Sequence, residues 1–504
     1  MAKREKNSII MMVCTFLSRF LGIFKARAIA TVFGSGAVTD AINFSYNIPN
    51  NARKLFAEGA FTTAYLPLFA RCREDKERSE KIASILITFQ LSFFLPLILL
   101  ISLFSRKIIV FFSSFRTEEQ IEIAAFLLPY FFLFLIFISL SSIFSSLLQA
   151  RERFLASSAS PIAFSVAVIL SVYLLGPELK ATAMGLGAVA GSIMQLTVTY
   201  VAIKRRGLRF RPNFNFFDED FKRILSDWGP ATLNSMIMVL SQQIILYLAS
   251  SLEVGSITAY SNSIIFYQTP YGIFFTSIAG VFFPKFAQVE DRRERRKELT
   301  LSLTYLFTFL YPSAIILLAF GRECIAVLLQ SGEFTLDNTL MTYNVLFFFL
   351  IAMIPASFNG MMQRFLQSEG KYWTTVRISL ITTVVEIISA TLLIALGRKA
   401  EALSLAFIIS SSLALTIYLI IIKYEDIKAL IISIIKLMII NIPLLLYLLC
   451  YLKLQNGWWM SGSNFINLLY LSIFGALGGL ITLIFYIVFK VPFLEALIKR
   501  NPRN

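Results

Sequence analysis

Three cations stand inside one apolar stretch near the N-terminus: Arg19, Lys25 and Arg27, within residues 8–32. The next stretch, 40–69, carries Arg53, Lys54 and Glu58, with Asp40 at its outer end. An ionised side chain at bilayer depth is expensive unless it is paired or faces a wet interior. Positive charge in a low-dielectric enclosure calls for an anion. The chemistry in view is therefore capture of an anionic head group by Arg19, Lys25 and Arg53. The alternative is internal pairing, with Glu58 as partner of Arg53 or Lys54 at helical spacing. Arg19 and Lys25 are six residues apart and Lys25 and Arg27 two, so at most two of the three share a helix face. Arg27 and Lys54 read as interfacial or paired. Glu386 is alone in the run TTVVEIISATLL. A solitary carboxylate there suits coupling to a proton or a monovalent cation, or serves as buried partner to a Lys or Arg on a neighbouring helix.

Other chemistries are poorly supplied. The chain has no histidine, which removes the commonest general base and the usual zinc ligand. Its cysteines, Cys14, Cys72, Cys324 and Cys450, form no CxxC pair, so neither a metal cluster nor a redox motif is expected. No nucleotide motif is present and no cofactor is implied. A membrane glycosyltransferase would need paired carboxylates or a metal-binding acidic loop. The one candidate, FDEDF at 217–221, reads as a solvated charge run. A transporter is expected rather than an enzyme, with no catalytic residue to name.

These side chains need elements that hold them at membrane depth. Of 504 residues, 57% are apolar and only 15% charged, far from the quarter typical of soluble domains. Apolar stretches long enough to span lie at 8–32, 40–69, 83–104, 121–148, 157–176, 181–203, 227–251, 256–284, 300–320, 339–363, 373–397, 402–422, 430–452 and 466–489, fourteen in all. Charge or proline makes the first, second, eighth and eleventh the easiest to miss. The basic start followed by an apolar run resembles a signal peptide, but no small-residue cleavage site follows, and it reads as an uncleaved first helix.

With the N-terminus inside and loops alternating, 31 Lys and Arg fall in inside segments, 8 in outside loops and 7 within spans. That asymmetry is the positive-inside signal, and it places both termini in the cytoplasm. The net charge of +16 thus reflects topology and contact with anionic lipid, and no nucleic-acid partner is expected. The basic loops 204–223 and 285–298 are both inside.

An internal repeat organises the spans. Pro67 and Pro284 end equivalent stretches at an offset of 217, the segments beginning Leu148-Gln149 and Leu366-Gln367 recur at 218, and Pro49 and Pro270 at 221. The unit is six helices, so the two copies are parallel and would enclose a central cavity open alternately to each side. The expected division is residues 1–223 as the N-terminal six-helix lobe with a cytoplasmic linker, 224–428 as the second lobe, and 429–504 as two additional helices with a tail. Gly187 with Gly191, and Gly475 with Gly479, have the spacing of close helix contacts.

The segment FGSGAVTDAINFSYNIPNNARKLFAEGAFTTAYLPLFA, residues 33–70, resembles the signature of the MurJ (MviN) family, bacterial lipid II flippases. SRFLG at 18–22, WGPA at 228–231, YQTPYGIF at 267–274 and SGEFT at 331–335 extend the likeness over at least 8–423. The resemblance implies the fold of the multidrug/oligosaccharidyl-lipid/polysaccharide (MOP) exporters: two six-helix lobes around a cationic cavity, and two last helices forming a groove for a polyprenyl tail. It implies transport of lipid II, the undecaprenyl-diphosphate-linked peptidoglycan precursor, to the outer leaflet of the cytoplasmic (inner) membrane by alternating access. A related flippase for another polyprenyl-linked saccharide is the alternative. By position, Arg19, Lys25 and Arg53 match the family's cations, Asp40 and Glu58 its TDA and FAEGAF acids in gating or conformational coupling, and Asn50 the polar residue of its PN pair. One departure matters. Many members carry an arginine five residues before the span-eight proline, where this chain has Ile265; Asn262 and Gln268 are the nearest polar groups.

Overall fold

The computed structural model describes residues 3–56, 60–424, 426–454 and 463–491; the side chains of 3–12, 15, 16, 19, 60–63, 227, 230, 231, 233 and 234 lie outside the description. Among the described residues every regular element is a helix, and the helices fall into two compact units.

The first unit holds α1 (Lys3–Phe33), α2 (Ala37–Phe56), α3 (Ala60–Arg71), α4 (Lys76–Phe112), α5 (Glu118–Ala150), α6 (Phe154–Leu179), α7 (Ala181–Lys204) and α8 (Glu219–Ser250). It also takes residues up to Thr258 and the segment Ser331–Asn338. The second holds the remainder of α9 (Ser256–Gln288), α10 (Arg292–Leu329), the body of α11 (Leu336–Ser368), α12 (Tyr372–Ala395), α13 (Glu401–Ile422), α14 (Ile427–Ile440), α15 (Ile442–Leu454) and α16 (Asn464–Val488).

Among the described residues, ten helices are long and apolar enough to cross a membrane: α4 to α7, α9 to α13, and α16. Helices α14 and α15 form one further span bent by 44°. Asn441 and Pro443 stand at that bend; proline has no N–H to continue the ladder. The other three stretches read from the sequence correspond to α1, the α2–α3 pair and α8. Each of these lies partly outside the described residues, and the described part of α8 is apolar over Ser235–Ser250. Of the eighth and eleventh stretches, α12 is plainly apolar despite Glu386, whereas α9 is the least apolar of these ten helices.

Polar side chains set several helix starts. Asp75 accepts from Arg78 N, Thr117 from Gln120 N, and Asp291 from Arg293 N and Glu294 N, each satisfying otherwise unpaired first-turn donors. In the first unit Tyr65, Phe69, Leu86, Leu147, Leu208 and Phe221 form one buried cluster, which joins α3, α4, α5 and α8 to the loop after α7. In the second, Phe320, Leu444, Leu448 and Tyr451 pack α10 against α15.

The two small-residue pairs behave differently. A Cβ on Gly187 would lie 2.8 Å from Ser171 Cβ, and one on Gly191 would lie 2.8 Å from the Phe164 carbonyl, so α6 and α7 touch there backbone to backbone. Gly475 and Gly479 have open space at the Cβ position, so that pair makes no close contact within the chain.

Candidate functional site

Helix α2 carries most of the candidate groups of the first unit. Asp40 stands in its first turn and Arg53 and Lys54 in its last, with Pro49 and half-buried Asn50 just before them. Thirteen residues of helix separate Asp40 from Arg53 by about 20 Å, so the two serve different depths.

Asp40 is buried, 2% exposed, and accepts three hydrogen bonds: from Gly255 N at 2.6 Å, Thr258 N at 2.9 Å and Thr258 Oγ1 at 2.7 Å. Gly255 immediately precedes α9 and Thr258 lies in its first turn. Asp40 is thus an N-cap supplied from another helix, its charge facing the positive end of α9. Asn43, one turn on, donates to Thr258 Oγ1 at 3.3 Å. The same end of the unit holds the segment 331–338. Thr31 Oγ1 and Ser331 Oγ are 2.6 Å apart, Glu333 N donates to Thr31 O, and Asn338 Nδ2 donates to Ser35 O. Gly34 and Gly332 both have positive φ, +67° and +59°, and a Cβ on either would strike the facing backbone, which explains glycine in FGSG and SGEFT.

Deeper along α2, Lys54 Nζ donates to Gln242 Oε1 at 2.6 Å and Asn51 Oδ1 at 3.0 Å. Its charge is thus met by amides of α8 and its own helix. Arg53 beside it is half-buried. Lys25 of α1 has its ammonium over two rings, Tyr46 of α2 at 5.7 Å and Phe164 of α6 at 5.6 Å. Aromatic faces stabilise a cation that has left water without neutralising it. The side chain of Arg19, and Glu58 entirely, lie outside the described residues.

In the second unit Asn262 of α9 is buried, 8% exposed, and Gln268 is exposed. Along the same helix Tyr267, Tyr271 and Phe275 form a ladder with ring separations of 5.5 and 4.9 Å. Arg364 of α11 lies over Phe275 at 5.6 Å and Phe283 at 5.7 Å. Phe275 is ten residues beyond Ile265, about 15 Å along α9, so Arg364 does not refill the position that Ile265 leaves without charge. Glu386 of α12 lies close to Ser410 of α13 and to Tyr260 of α9.

Two of the three carboxylates of FDEDF are structural, so the charge run expected to be solvated is in part paired, with Glu219 exposed. Asp218 caps α8 and meets Lys81 Nζ at 2.5 Å; Asp220 takes a two-pronged contact from Arg78, Nε at 2.7 Å and Nη2 at 2.6 Å. The Arg78 guanidinium holds the Asp220 carboxyl below the usual carboxylate range.

A family model described as lipid II flippase MurJ matches residues 29–470. The chain belongs to the MurJ family. A relative in Borreliella burgdorferi (strain ATCC 35210 / DSM 4680 / CIP 102532 / B31), named "Probable lipid II flippase MurJ", is 30% identical over 99% of this chain and all of its own length. Among solved structures, a lipid II flippase MurJ in an inward closed conformation superposes with a TM-score of 0.79, at 23% identity, covering 97% of this chain and 100% of that one. An inward-facing MATE multidrug transporter of the MOP superfamily gives 0.65 at 12% identity, covering 84% of this chain and 98% of that one. The fold is therefore the MOP transporter fold, and the chain is a multi-pass membrane transporter, not an enzyme.

Several working residues of this MurJ member escape sequence reading. Gln242, Thr258, Tyr46 and Phe164 are ordinary amides, hydroxyls and rings until the fold sets them beside Lys54, Asp40 and Lys25. Trp228 is different, because the WGPA motif marks it. Its indole N–H donates to the Leu55 carbonyl at 3.1 Å, and Gln90 Nε2 donates to Phe56 O, so α4 and α8 both hold backbone carbonyls of α2 next to Arg53 and Lys54.

Proposed function

We propose that this protein translocates lipid II across the cytoplasmic membrane by alternating access, with its diphosphate held by the cations of α1 and α2. The observation that carries the reading is the MurJ family match over 29–470, spanning the basic α2 segment. A diphosphate bears about two negative charges, and cations facing it replace hydration with charge-assisted hydrogen bonds. Arg53, Arg19 and Lys25 take this role, with Asn50 as a neutral donor. Asn262 and Gln268 contribute from α9, where Ile265 supplies no charge. An inside-negative potential favours outward movement of the anion by about 2.3 kcal/mol per charge per 100 mV.

Asp40, and with it Glu58, serves gating: release of Gly255 and Thr258 from Asp40 frees the start of α9. Glu386, with Ser410 and Tyr260, is the candidate for coupling to a proton or monovalent cation. The three-part division at 223 and 428, and the cytoplasmic placement of both termini, follow from the repeat and the charge asymmetry.

The test is lipid II exposure on the outer face of cells depleted of their own flippase and supplied with this gene. Wild type restores exposure; Arg53→Ala and Arg19→Ala, present at equal amounts in the membrane, do not. A well-expressed wild type that restores nothing overturns the lipid II assignment.

A further inference from the structure

The loop between α7 and α8 is bound to the side of α4 as an extended strap. Arg209 N donates to Glu80 Oε1 at 2.9 Å, Arg211 N to Ser84 Oγ at 3.3 Å and Asn213 N to Thr88 Oγ1 at 2.9 Å. The register has a simple cause. Two extended residues advance about 6.7 Å and four helical residues about 6 Å, so alternate amides of the strap meet one stripe of α4. Leu208 is buried in the core of the unit and Phe210 packs against it, while Arg209 and Arg211 are exposed. The Arg78–Asp220 and Lys81–Asp218 pairs fix the strap's far end.

Between strap and helix lies a cavity of about 370 Å³ lined by Arg209, Arg211, Lys81, Ser84, Glu77 and Glu80, among others. From Lys204 to Phe217 the chain has five basic residues and no acidic one. Phe214 and Phe217 beyond it are 68% and 80% exposed. Basic side chains beside exposed rings, on a loop joining two spans, suit the level of lipid head groups.

We propose that this cavity binds the head group of an anionic phospholipid, with the phosphate between Arg209 and Arg211 and Phe214 and Phe217 set in the acyl boundary. Glu77 and Glu80 on the opposite wall disfavour a second negative charge. A singly charged phosphodiester therefore fits better than a free phosphate dianion. The site is distinct in position and residues from the cations of α1 and α2.

The experiment uses the full-length protein in phosphatidylcholine nanodiscs, titrated with fluorescent phosphatidylglycerol. Wild type retains the anionic lipid saturably. Each cation near an anionic surface contributes about a factor of five, so Arg209→Ala with Arg211→Ala weakens retention about thirtyfold. Arg209→Lys with Arg211→Lys keeps most of it. Glycerophosphate in solution competes poorly. Equal retention by wild type and the alanine variant, equal retention of labelled phosphatidylcholine, or full displacement by glycerophosphate would each overturn the proposal. The alanine variant is first shown to melt at the wild-type temperature, so weakened retention is not lost folding.

Discussion

Asp40 shows how far a single residue can be read. Its place at the outer end of a basic span was legible, and so was its membership of a TDA motif. Its partners were not, because Gly255 and Thr258 lie more than two hundred residues away and are unremarkable alone. Asp40→Ala leaves buried first-turn donors of α9 without an acceptor and lowers stability by roughly 2 kcal/mol. Asp40→Asn retains one acceptor oxygen and loses less. Thermal unfolding of the purified variants checks the order; equal losses would mean that the carboxylate does not act as a cap. Trp228→Phe keeps the ring and removes only the bond to Leu55 O, for a loss of about 1 kcal/mol in the same assay. The cations differ in legibility. Lys54 read as interfacial or as paired with an acid, and it donates to the amides of Gln242 and Asn51, whereas the rings around Lys25 left no mark in the sequence.

Among the elements, apolar length and loop charge revealed nearly all the helices, because a bilayer imposes both. Small-residue spacing was ambiguous for a physical reason: it permits close approach without requiring it. Gly191→Ala drives a Cβ against the Phe164 carbonyl and costs roughly 1–3 kcal/mol, while Gly475→Ala meets open space and is neutral or slightly favourable to its helix. Melting temperatures of the two variants separate the cases. The strap has a pH signature. With its carboxyl held below the ordinary range, Asp220 contributes stability that is complete above about pH 4, the unfolded value, and is lost as pH falls through the folded one. Hydrogen exchange at Arg209, Arg211 and Asn213 should rise at acidic pH in wild type. In Asp220→Asn it should already be raised at pH 7.

On the scale of the whole molecule, the charge asymmetry is a sum over many residues, which is why it survives in a single sequence. A reporter that is active only outside the cytoplasm should be silent when fused after Asn504 and active when inserted in the loop at 398–401; the reverse pattern would invert the topology. The segment 331–338 belongs by its contacts to the first unit, although its flanking helices belong to the second. Cutting the gene by that linear order would therefore be misleading. A fragment ending at residue 258 would leave Thr31 and Gly34 uncovered. Adding 331–338 back as a peptide or a tethered graft should recover part of the lost stability. Anyone dissecting the protein for expression, or swapping lobes between relatives, should move this eight-residue piece with the N-terminal half.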